Sequence, residues 1–134
     1  MSQASNYLEN KLLDHLFDKT SYTAPSIYVA LADSAPTDAT TGSNISETDY
    51  TSYVRVNVVA GNWAAASSGT IDNSAAITFA EATGAGTNPV THFALIDASS
   101  NGNILCYGTL TSQLVVSIGV TPKFAIGDCN ISID

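Results

Sequence analysis

The sequence is short of cations before anything else. Lys and Arg number 4 against 12 Asp and Glu, for a formal net charge of −8, and charged residues make up only 12% of the chain, roughly half the usual share. A nucleic-acid binder displaces counterions with clustered Lys and Arg, and Lys11, Lys19, Arg55 and Lys123 are too few and too scattered for that. The same shortage argues against docking on an anionic membrane surface. Long apolar runs are missing as well: nothing approaches the ~18 residues of a membrane span. Met1-Ser2-Gln3-Ala4-Ser5-Asn6 has neither the basic start nor the apolar core of a secretory signal.

Metal-binding residue types are equally sparse. His15 and His92 are the only histidines, and neither has a second ligand at helical or hairpin spacing. They read as a surface helix residue and a strand residue. Cys106 and Cys129 lie in no C-x-x-C or Cys/His cluster and read as two separate buried thiols. A disulfide between them needs Cα atoms within ~7 Å on adjacent strands.

What is present is 45% hydrophobic and 8% aromatic, with Val and Ile runs that a disordered acidic chain lacks. At 134 residues the length fits a single domain, 1–134, able to bury about two-thirds of its unfolded surface. Ser, Thr, Ala and Gly supply much of the rest, so the surface is built of small uncharged groups.

Residues 6–17 read as one amphipathic helix. Leu8, Leu12, Leu13, Leu16 and Phe17 form a single apolar stripe, with Ser5 or Asn6 as N-cap. Glu9 and Lys19 have the polarity that suits the helix dipole. The helical part is assigned to 1–20. After Pro25 the period changes from 3.6 to 2, and the rest, 25–134, reads as a β-sandwich. Strands are expected over 26–32, 53–59, 76–79, 91–97, 104–110, 113–118 and 130–133, with a weaker one over 122–126. Gly61-Asn62, Asp72-Asn73, Gly84-Ala85-Gly86, Gly119 and Gly127-Asp128 supply turns, and 99–103 reads as a hairpin connection. The fold class is therefore mainly β: an antiparallel β-sandwich, jelly-roll or Greek-key-like, with one N-terminal amphipathic α-helix. The polar stretch 33–49 is long for a hairpin turn and reads as an exposed excursion, where binding surfaces often lie.

Chemistry is hard to place on this chain. Asp97-Ala-Ser99-Ser-Asn101-Gly102 matches the start of a calcium loop, but Gly108 stands where an EF-hand needs Glu, so a hairpin turn explains it. There is no G-x-S-x-G elbow, P-loop or dinucleotide fingerprint. Asp33, Asp38, Glu47 and Asp49 make the long loop acidic, yet nothing there holds a pair at glycosidase spacing or raises one pKa. They remain, with Trp63 as a sugar platform, a candidate ligand or partner loop. No enzyme, cofactor or metal is expected.

Two features point to assembly. The stripe of Leu8, Leu12, Leu13, Leu16 and Phe17 either packs on its own sheet or docks into a neighbour, because each large apolar side chain gains ~1.5–3 kcal/mol on burial. The run Leu114-Val115-Val116-Ser117-Ile118 is apolar on both faces, so Val115 and Ile118 belong either to a two-sided core or to a covered interface.

These residues also carry a resemblance. The opening Asn6-Tyr-Leu-Glu-Asn-Lys-Leu-Leu-Asp-His-Leu-Phe17 is similar to that of small tailed-phage and prophage proteins usually labelled tail fibre protein. So are Pro25-Ser-Ile-Tyr-Val-Ala-Leu-Ala-Asp-Ser-Ala-Pro-Thr-Asp38, the Tyr-x-x-Tyr-x-Arg element at Tyr50, Tyr53 and Arg55, Asn73-Ser-Ala-Ala-Ile-Thr-Phe79, and Val90-Thr-His-Phe-Ala-Leu-Ile-Asp97. One departure stands out: Gly86-Thr-Asn-Pro89 replaces a Trp-Gly common in the family. The resemblance implies a non-enzymatic structural protein of a tailed-phage virion, assembled in the host bacterial cytoplasm. Its partners would be itself, as a homo-oligomer with a trimer preferred, and other virion proteins. The alternatives are a capsid decoration or cement protein on the head surface, or a host-glycan-binding module.

Overall fold

The computed structural model describes residues 2–133. The chain runs through β1 (Ser2–Ala4), α1 (Asn6–Leu16), β2 (Tyr28–Ala32), β3 (Val56–Asn57), a 3-10 turn (Ala60–Asn62), β4 (Thr70–Asp72), β5 (Ile77–Thr78), β6 (Val90–Ile96), β7 (Ile104–Leu114), β8 (Lys123–Phe124) and β9 (Asn130–Ser132). It is mainly β, with antiparallel sheets and one N-terminal helix, as the periodicity predicts. One five-stranded sheet has the order β1-β7-β6-β2-β3, and β4-β9 and β5-β8 form two-stranded sheets.

The alternation in β2 and β6 divides the main sheet into two faces. Val29 pairs with Leu95 and Leu31 with Phe93. These four join Ile77, Phe79, Val116, Cys129 and Ile131 in the larger core, between the main sheet and the strands of the two small ones. On the opposite face Ala30, Ala94, Ile96, Ile104 and Tyr107 form a second buried cluster, against which Ile45 of the long loop packs. Residues 33–49 are exposed over most of their length, as expected, but they are anchored rather than free: Pro36, Gly42 and Thr48 are buried, and Ile45 sits on the second face of the sheet. The predicted hairpin at 99–103 joins β6 to β7. Asp97 closes it by accepting from the Asn103 backbone at 2.7 Å and from Asn103 Nδ2 at 2.9 Å. Asn101 and Gly102 turn the chain there with φ of 53° and 78°.

The helix begins where expected. Ser5 is the N-cap and accepts from the Leu8 N–H at 3.2 Å. Its hydroxyl also donates to the Ile104 carbonyl, and its N–H reaches the Leu105 carbonyl at 2.9 Å. One serine thus starts the helix and fastens it to β7.

The strand pattern differs from expectation in four places, two of them strands that were not expected. β1 and β4 carry no readable pattern over three residues each and are held by pairing partners far away in sequence. The stretch 53–59 narrows to β3 because Arg55 turns into a buried network. The two strands expected over 104–110 and 113–118 are joined in β7, which carries a bulge opposite Thr91 between Thr109 and Leu114, and residues 115–118 lie beyond it. There Val116 alone is buried, and its carbonyl accepts from Gly86 N–H at 2.9 Å.

Asn73 is fully buried and joins the turn before β9 to the segment between β4 and β5. Its Nδ2 donates to the Ala75 and Ala125 carbonyls, both at 2.8 Å, and its Oδ1 accepts from Cys129 N–H at 2.9 Å. Cys106 and Cys129 are free and buried. Burial disfavours the thiolate, pushing Cys106 up to about 11 and Cys129 up to about 12. Because the thiolate is the reactive form, a thiol reagent at pH 8 should label neither cysteine in the native protein and both in denaturant. Labelling of native protein at the unfolded rate would contradict this burial.

Candidate functional site

The loop carboxylates singled out by sequence do not converge on one point; each braces a separate junction. Asp33 accepts from Ser46 Oγ at 2.6 Å and from Asn88 Nδ2 at 3.1 Å. Asp38 accepts from the Tyr107 hydroxyl, and its backbone carbonyl accepts from Asn6 N–H at 3.2 Å. Burial, and then the Asp38 carboxylate, push the Tyr107 phenol up to about 12. Asp49 accepts from Thr87 N–H at 2.7 Å and from Thr87 Oγ1 at 2.5 Å. The Thr87 hydroxyl and amide hold its carboxyl below the usual range, since both donate to the ionised form.

Glu47 is the centre of the strongest cluster. Its Oε2 accepts from the Tyr53 hydroxyl at 2.6 Å, and its Oε1 accepts from Arg55 Nε at 2.9 Å and from Nη2. Arg55 also donates to the carbonyls of Ala98 at 2.9 Å, Asn101 at 2.8 Å and Gly42 at 2.8 Å. Each of the five guanidinium N–H groups therefore has an acceptor, and the side chain is only 5% exposed. The Tyr53 oxygen in turn accepts from Leu31 N–H at 3.0 Å. Burial and then Glu47 hold the Tyr53 phenol far above its ordinary value.

Gly42 makes this closure possible, because a Cβ there would lie 1.9 Å from the Asn101 carbonyl oxygen. A surface pit of about 430 Å³ remains beside Gly42, Glu47 and Arg55, but Arg55 has no free donor to offer an anion. Among the described residues no three His, Cys, Asp or Glu side chains group as a metal site. Sequence reasoning assigned Arg55 no role; the signal was its i+2 spacing from Tyr53, which puts both on one side of an extended chain.

Trp63 is half-buried and packs against the larger core. Its Nε1 is buried without a partner among the described residues. Among the described residues it makes no hydrogen bond to Asp33, Asp38, Glu47 or Asp49.

The assembly candidates behave differently. Of the helix stripe, only Leu8 is buried, at 8% exposure; Leu12, Leu13, Leu16 and Phe17 are 39%, 54%, 75% and 64% exposed. The helix is pinned at Ser5, Tyr7 packs on the core, and the exposure of the apolar stripe rises toward the helix end. Val115 and Ile118 are 61% and 72% exposed on either side of the buried Val116. No helix among the described residues is long and apolar enough to cross a membrane.

A family model described as podophage GP4 fiber I protein gp80 matches residues 3–132. No curated protein matches the chain.

Breaking the Glu47–Arg55 cluster leaves a buried charge unpaired, which generally lowers stability by about 3–5 kcal/mol. Arg55→Ala should therefore lower the urea midpoint sharply. Arg55→Lys should recover little, since an ammonium cannot reproduce the forked guanidinium. A midpoint for Arg55→Ala within error of the parent would contradict the bracing role.

Proposed function

The chain belongs to the family described as podophage GP4 fiber I protein gp80, and from that membership we propose that it is a non-catalytic building block of the virion. It seats itself on neighbouring subunits through the projecting half of α1. The observation that carries this reading is the exposure of Leu13, Leu16 and Phe17 at 54%, 75% and 64%. A contiguous apolar patch on a rigid helix is the usual mark of a protein–protein contact. The neighbours are other virion proteins and further copies of the chain, a homo-oligomer for which a trimer is the preferred state. Assembly takes place in the host bacterial cytoplasm.

A structural role is supported by the family and by the use made of Asp33, Asp38, Glu47 and Asp49, whose oxygens serve internal hydrogen bonds. The mechanism is geometric. The Arg55 cluster makes the long loop a rigid cover, Ser5 fixes the helix to β7, and an apolar surface is left at a defined place. Val115 and Ile118 offer a second contact beside the buried Val116.

Removing residues 1–19 would also delete β1 and the Ser5 cap, so point changes at the helix tip give the cleaner test. Leu16→Asp combined with Phe17→Asp should leave the melting temperature near that of the parent. It should weaken self-association or incorporation into particles at least ~100-fold, given ~1.5–3 kcal/mol per large side chain. Undiminished incorporation by a folded double variant would refute the seat. Copy number in purified particles separates a fibre component, at a few per virion, from a capsid decoration at hundreds.

A further inference from the structure

The tip of α1 is a fixed apolar knob. Leu16 and Phe17 are 75% and 64% exposed, yet the backbone around them is held by its own hydrogen bonds. Phe17 N–H donates to the Leu13 carbonyl at 3.0 Å, and Lys19 N–H to the Asp14 carbonyl at 2.8 Å. Between them Asp18 turns left-handed with φ of 55°, a common way to close a helix. A backbone held this way has little freedom to lose on docking.

β7 and β8 line a cleft elsewhere on the chain. The β6–β7 pairing steps from His92↔Thr109 to Val90↔Leu114, so residues 110–113 bulge opposite Thr91 alone. A bulge bends its strand and re-aims side chains, and this one borders a cleft of about 490 Å³. Leu110, Leu114 and Phe124 line it half-buried, together with the buried Phe93. The exposed Lys123 and Asp128 form part of its rim. The volume lies within the ~300–1,000 Å³ of pockets that enclose a ligand.

The four cations separate into two kinds. Arg55 is held in the Glu47 cluster, and Lys11 lies 5.7 Å above the Tyr7 ring. The other two are Lys19, beside the knob, and Lys123, on the cleft. Among the described residues neither makes an ion pair, and nor does Asp18 or Asp128. Knob and cleft thus each carry one unpaired charge of each sign. A chain of net charge −8 repels its own copies over most of its surface, and crossed pairs at this one contact offset that repulsion.

We propose that the cleft is the socket for the helix tip: Leu16 and Phe17 of one copy enter the cleft of a second copy, with Lys19 facing Asp128 and Asp18 facing Lys123. This inference rests on the reading of α1 as the seat and names what receives it. Knob and socket are different surfaces, so the contact runs head to tail and repeats until the rotation closes a ring. A ring of three is the trimer preferred above. A second copy is favoured over a foreign protein because every copy carries both halves and both complementary charge pairs.

The test is complementation between two variants of the whole chain. Leu16→Asp/Phe17→Asp removes the knob and keeps the socket. Ser112→Lys/Asp128→Lys sets like charge against Lys19 and keeps the knob. It also moves the net charge toward zero, so a general charge effect would strengthen its association. Each variant alone should self-associate at least ~10-fold more weakly than the parent, with unchanged melting. Mixed, they should form a one-to-one pair of twice 13.9 kDa in sedimentation, one supplying the socket and the other the knob. Acetylation of the unmodified chain needs no variant: Lys19 and Lys123 should lose reactivity together as concentration rises, while Lys11 keeps its own. No pairing on mixing, or protection of Lys19 without Lys123, overturns the proposal. A socket variant that associates like the parent, while the knob variant does not, overturns it and leaves the α1 seat standing. A parent that stays monomeric at every concentration overturns it as well and confines the seat to other virion proteins.

Discussion

From its place before β3, Arg55 gives all its N–H groups to two other stretches of chain: Gly42 and Glu47 of the long loop, and Ala98 and Asn101 of the β6–β7 hairpin. Taking a guanidinium out of water is costly unless its hydrogen bonds are replaced, and here they are. The consequence is architectural. With that clamp closed, residues 33–49 lie over Ala30, Ala94 and Ile96 and turn an open sheet face into a second core. Without it the face would be wet, and the loop would be the solvated excursion that its composition suggests.

The clamp continues inward through aromatic contacts. Tyr53 stands edge-on to Tyr50 at 5.4 Å and is stacked on Phe79 at 6.3 Å. Phe79 meets Phe124 at 6.4 Å, and Phe124 meets Phe93 at 5.7 Å. Such pairs add to plain burial, and they connect the polar cluster on one side to the larger core. The Tyr-x-x-Tyr-x-Arg element is thus a structural device: Tyr50 donates to the Ala80 carbonyl at 3.0 Å, Tyr53 bridges Glu47 and Leu31, and Arg55 closes the loop.

Much of this was legible in residue order, for reasons that also explain the failures. The α1 stripe and its Ser5 cap follow from spacing and local hydrogen bonding, as do the alternation in β2 and β6 and the Asp97–Asn103 hairpin. Spacing does not reveal what covers a stripe, so Leu8 turned inward while Leu16 and Phe17 did not. β1 was invisible because Ser2–Ala4 has no pattern of its own and exists through pairing with β7. The loop carboxylates looked mobile because their partners Asn88, Thr87, Tyr107 and Arg55 lie 8 to 69 positions away.

A domain that uses its few charges to brace itself, and leaves its apolar helix tip uncovered, is built to be one member of a larger object. Hydroxyl-radical footprinting of the isolated chain against the same chain in purified particles tests this most directly. Leu13, Leu16 and Phe17 should lose most of their reactivity in the particle, while the buried Tyr50 and Tyr107 stay unreactive in both. Equal reactivity of the α1 tip in the two states would contradict it.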